Sequence, residues 1–236
     1  MDLNLEDKVF LVTAATSGFG LAAAGMLLAE GACVVISSPT RHSVDNAAAR
    51  LGQLGRTVGI AADSADPAAA DRFITAALTR FGRLDGVLLS IGEPPTGPLT
   101  AVSDQQWRRS FESGFLSTVR LARTAVPVLP AGGAIGLVLS RGRLRSGLAV
   151  VVETLAEELE PRGIRVNGLI TGRCGTSDGF ARAATFVLSP AASYLTGNVI
   201  TIDGEDRTGH LAGCFLTPLS AASQSSKPEE DPAHET

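Results

Sequence analysis

Seven short apolar runs recur along the chain, at residues 9–12, 33–36, 58–61, 87–89, 135–139, 164–170 and 199–202, with a stretch long enough for a helix between most neighbours. Runs this short and continuous suit strands buried on both faces. Parallel strands need a helix-sized crossover, and the spacing supplies one. The alternation therefore predicts an α/β fold: a doubly wound parallel sheet of about seven strands with helices on both faces. Within residues 147–160, Leu148, Val151, Val152, Leu155 and Leu159 fall on one helical face, and Pro161 and Gly163 end the stretch.

A chain of 236 residues, 44% hydrophobic, is long enough for one large core. Residues 1–204 read as one domain. Residues 205–236 read as a C-terminal extension whose polar, proline-containing end is expected to be disordered. The net charge of −4 and the scattered arginines argue against a nucleic-acid partner. The first residues lack a basic segment followed by an apolar one, and no later stretch is long enough to span a bilayer, so a cytoplasmic protein with no membrane partner is expected. Cys33, Cys174 and Cys214 are widely spaced, which suggests neither a disulfide framework nor a metal site.

The first apolar run leads into Thr13-Ala14-Ala15-Thr16-Ser17-Gly18-Phe19-Gly20 and then an alanine-rich helical stretch. A turn of small residues against a helix N-terminus suits a pyrophosphate: backbone N–H groups and the positive end of the helix dipole face the anion. Gly18 and Gly20 allow close backbone approach. The same turn also serves a plain strand-to-helix connection.

Taken with later segments, this turn resembles the short-chain dehydrogenase/reductase superfamily over roughly residues 6 to 204, a Rossmann-type fold. The TGxxxGxG turn of that family corresponds to Thr13 through Gly20, with Ala14 in place of the first glycine. Asp63-Ser64 resembles its adenine-contact segment. Phe81-Gly82-Arg83-Leu84-Asp85 through Ser90-Ile91-Gly92 resembles "fGxiDvlvnnAG". Gly163-Ile164-Arg165-Val166-Asn167 matches "gIrVN", and Tyr194-Leu195-Thr196-Gly197 through Asp203-Gly204 matches "yiTGqvlxvDGG". The resemblance implies a dinucleotide partner contacted by Thr13, Thr16, Ser17, Gly18, Phe19, Gly20, Ser38, Arg41, Asp63, Ser64, Ser90, Ile91 and Gly92. Gly172 and Thr176, in a loop resembling "PGxxxT", complete the set.

The cofactor is NADP or NAD. No carboxylate ends the second run, which offers Ser37, Ser38, Pro39, Thr40 and Arg41, and this inclines the site toward NADP. Arg41 also reads as the solvated start of a helix.

The resemblance implies hydride transfer between nicotinamide and a carbonyl or alcohol carbon of a small molecule not identified by the sequence. In the family a tyrosine, a lysine four residues later, a serine and an asparagine carry the proton chemistry. Counting back from Asn167 by the family's spacing puts Arg141 at the tyrosine position and Arg145 at the lysine position. The asparagine position holds Gly114. Ser140 alone corresponds to a member of the tetrad, and the loop between it and the dyad positions is shortened, as is the region after Thr176. The chain's one tyrosine is Tyr194 and its lysines are Lys8 and Lys227, none near the expected cleft. Arg145 remains a candidate for holding a ribose, though a guanidinium is a poor proton donor. Glu93 is a candidate general acid, with a solvated residue before Pro94-Pro95 as the plainer reading. Cys174 also falls near the expected nicotinamide, where an inert loop thiol is the plainer reading.

Two functions follow as expectations: a divergent oxidoreductase with weak or no turnover, or a non-catalytic nucleotide-binding or structural subunit. The family's members assemble through two helical stretches, here about 103–128 and 147–160, so a homo-oligomer, dimer or tetramer, is expected. A shortened product of a longer active gene is a third reading.

Overall fold

The computed structural model describes residues 2–90, 98–139, 144–172 and 175–203. Its strands are β1 (Val9–Thr13), β2 (Cys33–Ser38), β3 (Thr57–Ala61), β4 (Gly86–Ser90), β5 (Ala134–Leu139), β6 (Arg165–Thr171) and β7 (Val199–Ile202). They form one sheet in the order β3-β2-β1-β4-β5-β6-β7, with every neighbouring pair parallel. The helices are α1 (Gly18–Ala29), α2 (Arg41–Leu51), α3 (Ala69–Phe81), α4 (Asp104–Ser110), α5 (Ser117–Ala125), α6 (Arg145–Leu159) and α7 (Ser177–Leu188). The chain is thus a Rossmann-type doubly wound sheet, as the apolar alternation predicts.

Successive strand side chains point to opposite faces, so the central strands feed two cores. Leu11, Val35, Val87 and Leu137 pack with Phe73 of α3, Leu121 of α5 and Leu148 and Val152 of α6. Phe10, Val12, Ile36 and Leu169 pack with Leu27 of α1 and Phe180 of α7. Each fully buried side chain of this kind contributes on the order of 1.5–3 kcal/mol. Two closed layers of them explain why the central strands β1, β2, β4 and β5 read as mainly apolar runs.

The amino edge of the sheet is braced by buried polar groups with internal partners. Asp85, 5% exposed, accepts from the Val9 amide at 2.9 Å and from Arg83 at 2.8 and 2.6 Å, with Lys8 Nζ 3.8 Å away. That carboxylate raises the Arg83 pKa above its ordinary value. Arg165 donates to the carbonyls of Val187, Leu188 and Ser189 at 2.7, 3.3 and 2.9 Å, closing the C-terminal end of α7. Burial pulls its pKa down from the usual guanidinium value. Asn167 donates to the Leu195 carbonyl and accepts from the Asn198 amide, tying the start of β6 to the segment before β7.

The stretch 103–128 is a helical run of mixed geometry. Ser103 and Gln106 form a capping box at its start. A π segment, Phe111–Leu116, separates α4 from α5, and a 3₁₀ turn, Val126–Val128, follows. Wider π turns leave helix carbonyls poorly paired, and hydroxyls fill in here: Thr118 Oγ1 donates to the Gly114 carbonyl at 2.7 Å and Ser113 Oγ to that of Arg109 at 2.8 Å. Helix α6 starts at Arg145, two residues before the expected boundary, and Glu160–Arg162 form a 3₁₀ turn containing Pro161. Gly147 lets α6 approach the π segment, since a Cβ there would stand 3.1 Å from Phe115 Cε2.

Candidate functional site

All seven strands are parallel, so their carboxyl ends share one edge. The strand order reverses between β1 and β4, the switch point at which doubly wound sheets take ligands. Thr13 and Ser90 end these two strands. The Thr13 hydroxyl, buried to 1% exposure, accepts from the Ser90 amide at 2.8 Å and donates to the Ser90 carbonyl at 3.3 Å. That reciprocal pair fixes the spacing of the two strand ends on either side of the crevice.

Beyond Thr13 the backbone turns sharply. Ala14 has a φ of +50° and Gly18 one of +53°, both in the left-handed region. A Cβ at Gly20 would lie 2.7 Å from the Ala14 carbonyl oxygen, so only glycine lets α1 start this close to the turn. At Gly18 the space is open, and the backbone conformation alone favours glycine. Ser17 occupies the N-cap position with extended backbone, yet its side chain makes no cap hydrogen bond. The first-turn amides of α1 therefore meet no capping side chain, as an anion-binding helix end requires. Phe19 lies against Phe180 of α7, with ring centroids 5.1 Å apart, so its side chain is a packing group and its N–H is the part offered at the turn.

Next to this turn, Thr16 Oγ1 donates to Ser38 Oγ at 3.3 Å, and the Ala15 amide to the Ser37 carbonyl at 3.2 Å, which joins the turn to the end of β2. Ser37 Oγ is buried and has no hydrogen-bond partner among the described residues. Arg41 opens α2 and is held by Asp45 on its own helix, Nε standing 3.1 and 3.0 Å from the two carboxylate oxygens. Thr40, the N-cap of α2, makes no side-chain cap bond. Past β3, Asp63 accepts from the Ala65 amide at 3.0 Å, a local turn bond, with Ser64 partly buried beside it.

On the far side of the switch point the Gly172 amide bonds the Ile202 carbonyl at 2.7 Å, and the Asp203 carboxylate lies where a side chain at 172 would stand. Thr176 caps α7, its hydroxyl accepting from the Gly179 amide at 3.0 Å. Arg145 is the first residue of α6 and exposed, while Gly114 is buried in the π segment. Tyr194, 72% exposed, and Lys8 belong to the opposite edge: Lys8 precedes β1, and the residues following Tyr194 bond the start of β6. Ile91, Gly92, Glu93, Ser140, Arg141 and Cys174 lie outside the described residues. Among the described residues no cluster of three or more metal-binding side chains occurs, and no helix is long and apolar enough to cross a membrane.

The structure thus brings Thr13, Thr16, Ser17, Gly18, Gly20, Ser38, Ser90 and the start of α2 to one edge. It adds two features that the sequence reading lacks. Asp45 as the partner of Arg41 was signalled by i,i+4 spacing on a helix. The Thr13–Ser90 pair depends on the β1–β4 register, for which the sequence holds no local signal.

A family profile described as Enoyl-(Acyl carrier protein) reductase matches residues 13–176. "Dehydrogenase/reductase SDR family member 4" of Caenorhabditis elegans is 30% identical, over 85% of this chain and 95% of that protein. Among solved structures, a short-chain dehydrogenase/reductase titled "Glucose/ribitol dehydrogenase" from Brucella melitensis superposes with a TM-score of 0.81 at 27% identity, covering 86% of this chain and 98% of that one. A short-chain dehydrogenase from Burkholderia cenocepacia, solved in complex with NADP, gives 0.80 at 26% identity over 85% and 98%.

Proposed function

This chain belongs to the short-chain dehydrogenase/reductase superfamily, and on that premise we propose that it binds NADP or NAD along the carboxyl edge of its sheet, NADP preferentially, with weak or no turnover of a carbonyl or alcohol. The observation that carries the binding reading is the start of α1: three amides of an uncapped first turn, placed by Gly18 and Gly20 beside the switch point. The Burkholderia relative, solved with NADP, supports the same cofactor class. Thr13 sets the width of the crevice, Ser38 and Arg41 serve the ribose end, and Asp63 and Ser64 the adenine end. Ser90, Gly172 and Thr176 serve the nicotinamide end, to which the family resemblance also assigns Ile91 and Gly92. The functional unit in this reading is residues 1–204, with 205–236 as an extension.

When bound, the nicotinamide supplies or accepts hydride at a carbonyl or alcohol carbon. The protein's share of that chemistry is to orient the cofactor and move a proton, and the second task is where this chain departs from its family. Arg141 and Arg145 stand at the dyad positions, and a guanidinium stays protonated at all working pH, so it holds an anion or a ribose and does not relay a proton. Glu93 and Ser140 remain as candidates for donating a proton and for binding the substrate oxygen. Orientation alone still supplies much of a rate enhancement.

The test is a titration of the purified protein with NADPH and NADH, following nicotinamide fluorescence and melting temperature together. Saturable binding of NADPH with a raised melting temperature is expected, and at 100 times Kd it adds about 2.7 kcal/mol of stability. No saturable change with either nucleotide overturns the reading.

The second reading, a non-catalytic subunit of a homo-oligomer, draws on the surface of the two helical stretches. Phe111, stacked on Phe115 at 4.9 Å, is 42% exposed, and Val150 of α6 is 59% exposed. Apolar side chains left in water on adjacent helices are what an assembly face requires. Light scattering after size exclusion gives a dimer or tetramer if this face is used.

A further inference from the structure

We infer that Asp45 blunts the cofactor choice of the site by pairing with Arg41, so that the preference for a 2′-phosphate is smaller than Arg41 alone would produce. The inference rests on the dinucleotide reading above. It concerns the ribose end of the crevice, where β2 ends at Ser38 and α2 begins at Arg41, about 20 residues beyond the glycine turn. That is the interval at which doubly wound folds place the group that reads the ribose 2′ position. The Thr16–Ser38 contact ties the pyrophosphate turn to this strand end at 3.3 Å, so the cofactor's path from one to the other is short.

Arg41 is the cation nearest that strand end in sequence, and it is already engaged. Both Asp45 oxygens meet its Nε, at 3.1 and 3.0 Å, whereas the two terminal nitrogens make no hydrogen bond to the described residues. Arg41 is 81% exposed and Asp45 58%, so the pair is loosely held and solvent screens it. A 2′-phosphate carries up to two negative charges and three acceptor oxygens, and it competes for the fork with an advantage. It must nonetheless bind a guanidinium that a carboxylate half neutralises, with that carboxylate one helical turn away. A ribose bearing only hydroxyls meets neither the attraction nor the repulsion. The negative charge of Asp45 therefore acts on one cofactor form and spares the other.

The experiment measures Kd for NADPH and for NADH on the full chain as wild type, Asp45→Asn, Arg41→Ala and the double variant, at low salt and at about 0.5 M salt. Removing one exposed charge near a phosphate is worth a few-fold, so Asp45→Asn is expected to tighten NADPH by about 3- to 10-fold and to leave NADH within about twofold. The gain shrinks at high salt, where the Debye length is only a few ångströms. It also shrinks in the Arg41→Ala background, because the pair is then absent. An equal gain for both nucleotides, no gain for NADPH, a loss, or a gain retained in full without Arg41 overturns the inference while leaving nucleotide binding intact. Wild-type protein that binds neither nucleotide overturns the underlying reading instead, and the two failures are told apart in the first titration. The variants lie on an exposed helix face, and an unchanged melting temperature without nucleotide checks that they fold.

Discussion

The two edges of the sheet are built from the same strands and differ in how far their polar groups are closed off by internal partners. At the amino edge Asp85, Arg165 and Asn167 are buried, and each meets several internal partners. At the carboxyl edge Ser17 and Thr40 head their helices with no side-chain cap bond, and Ser37 Oγ is buried with no partner among the described residues. Buried polar groups without partners are costly, and natural folds retain them where something else completes them. The open helix starts set the carboxyl edge apart more than the buried orphan does, since Thr57 Oγ1, at the start of β3, is also buried with no partner among the described residues.

The largest effect should come from breaking the amino edge. Asp85→Ala leaves the Val9 amide and the head of Arg83 without their acceptor, and urea unfolding is expected to show a loss of about 2–4 kcal/mol. Nucleotide affinity of the folded fraction should stay within about twofold. An equal loss of affinity would mean that the two edges are not separable.

Gly18→Asp tests the other edge. A carboxylate at an uncapped helix start competes with the pyrophosphate for the same amides, so NADPH binding should weaken by more than about tenfold, or ~1.4 kcal/mol. Urea stability should move much less than for Asp85→Ala, since aspartate tolerates the left-handed conformation better than most residues. Unchanged Kd would remove the turn from the site.

The smallest effect sharpens the contrast. Ala14 holds a φ of +50° that glycine adopts freely, so Ala14→Gly should recover about 0.5–1 kcal/mol, offset in part by the greater freedom of glycine in the unfolded chain. A clear destabilisation in urea would show that the Ala14 methyl makes a contact outweighing its backbone strain.

The legibility of the chain follows the same division. The central strands could be read directly because burial on both faces turns them into apolar runs, and Val9, Cys33 and Val87 sit in β1, β2 and β4 as the runs imply, while the edge strands β3 and β7 are only partly buried. The glycine turn was legible because its chemistry is local. The π segment was not, since Phe111 and Phe115 have spacing that suits an ordinary helix, and a wider turn leaves no mark in residue type. The Thr13–Ser90 pair joins residues 77 positions apart and depends on strand register. For the ribose end, the sequence reading has Arg41 available, and the structure shows it paired through a neighbour one turn along α2.

The π segment also bears on how this chain tolerates change in length. A turn closed over i to i+5 holds one residue more than an α-helix needs, so Phe111–Leu116 stores a spare residue inside an otherwise regular run. Deleting one residue there converts the segment to α-helix and keeps α4 and α5 in continuous register, whereas the same deletion in the middle of α6 rotates half of that helix's buried face toward solvent. Among the described helices, this is the segment where the loss of one residue is expected to cost least.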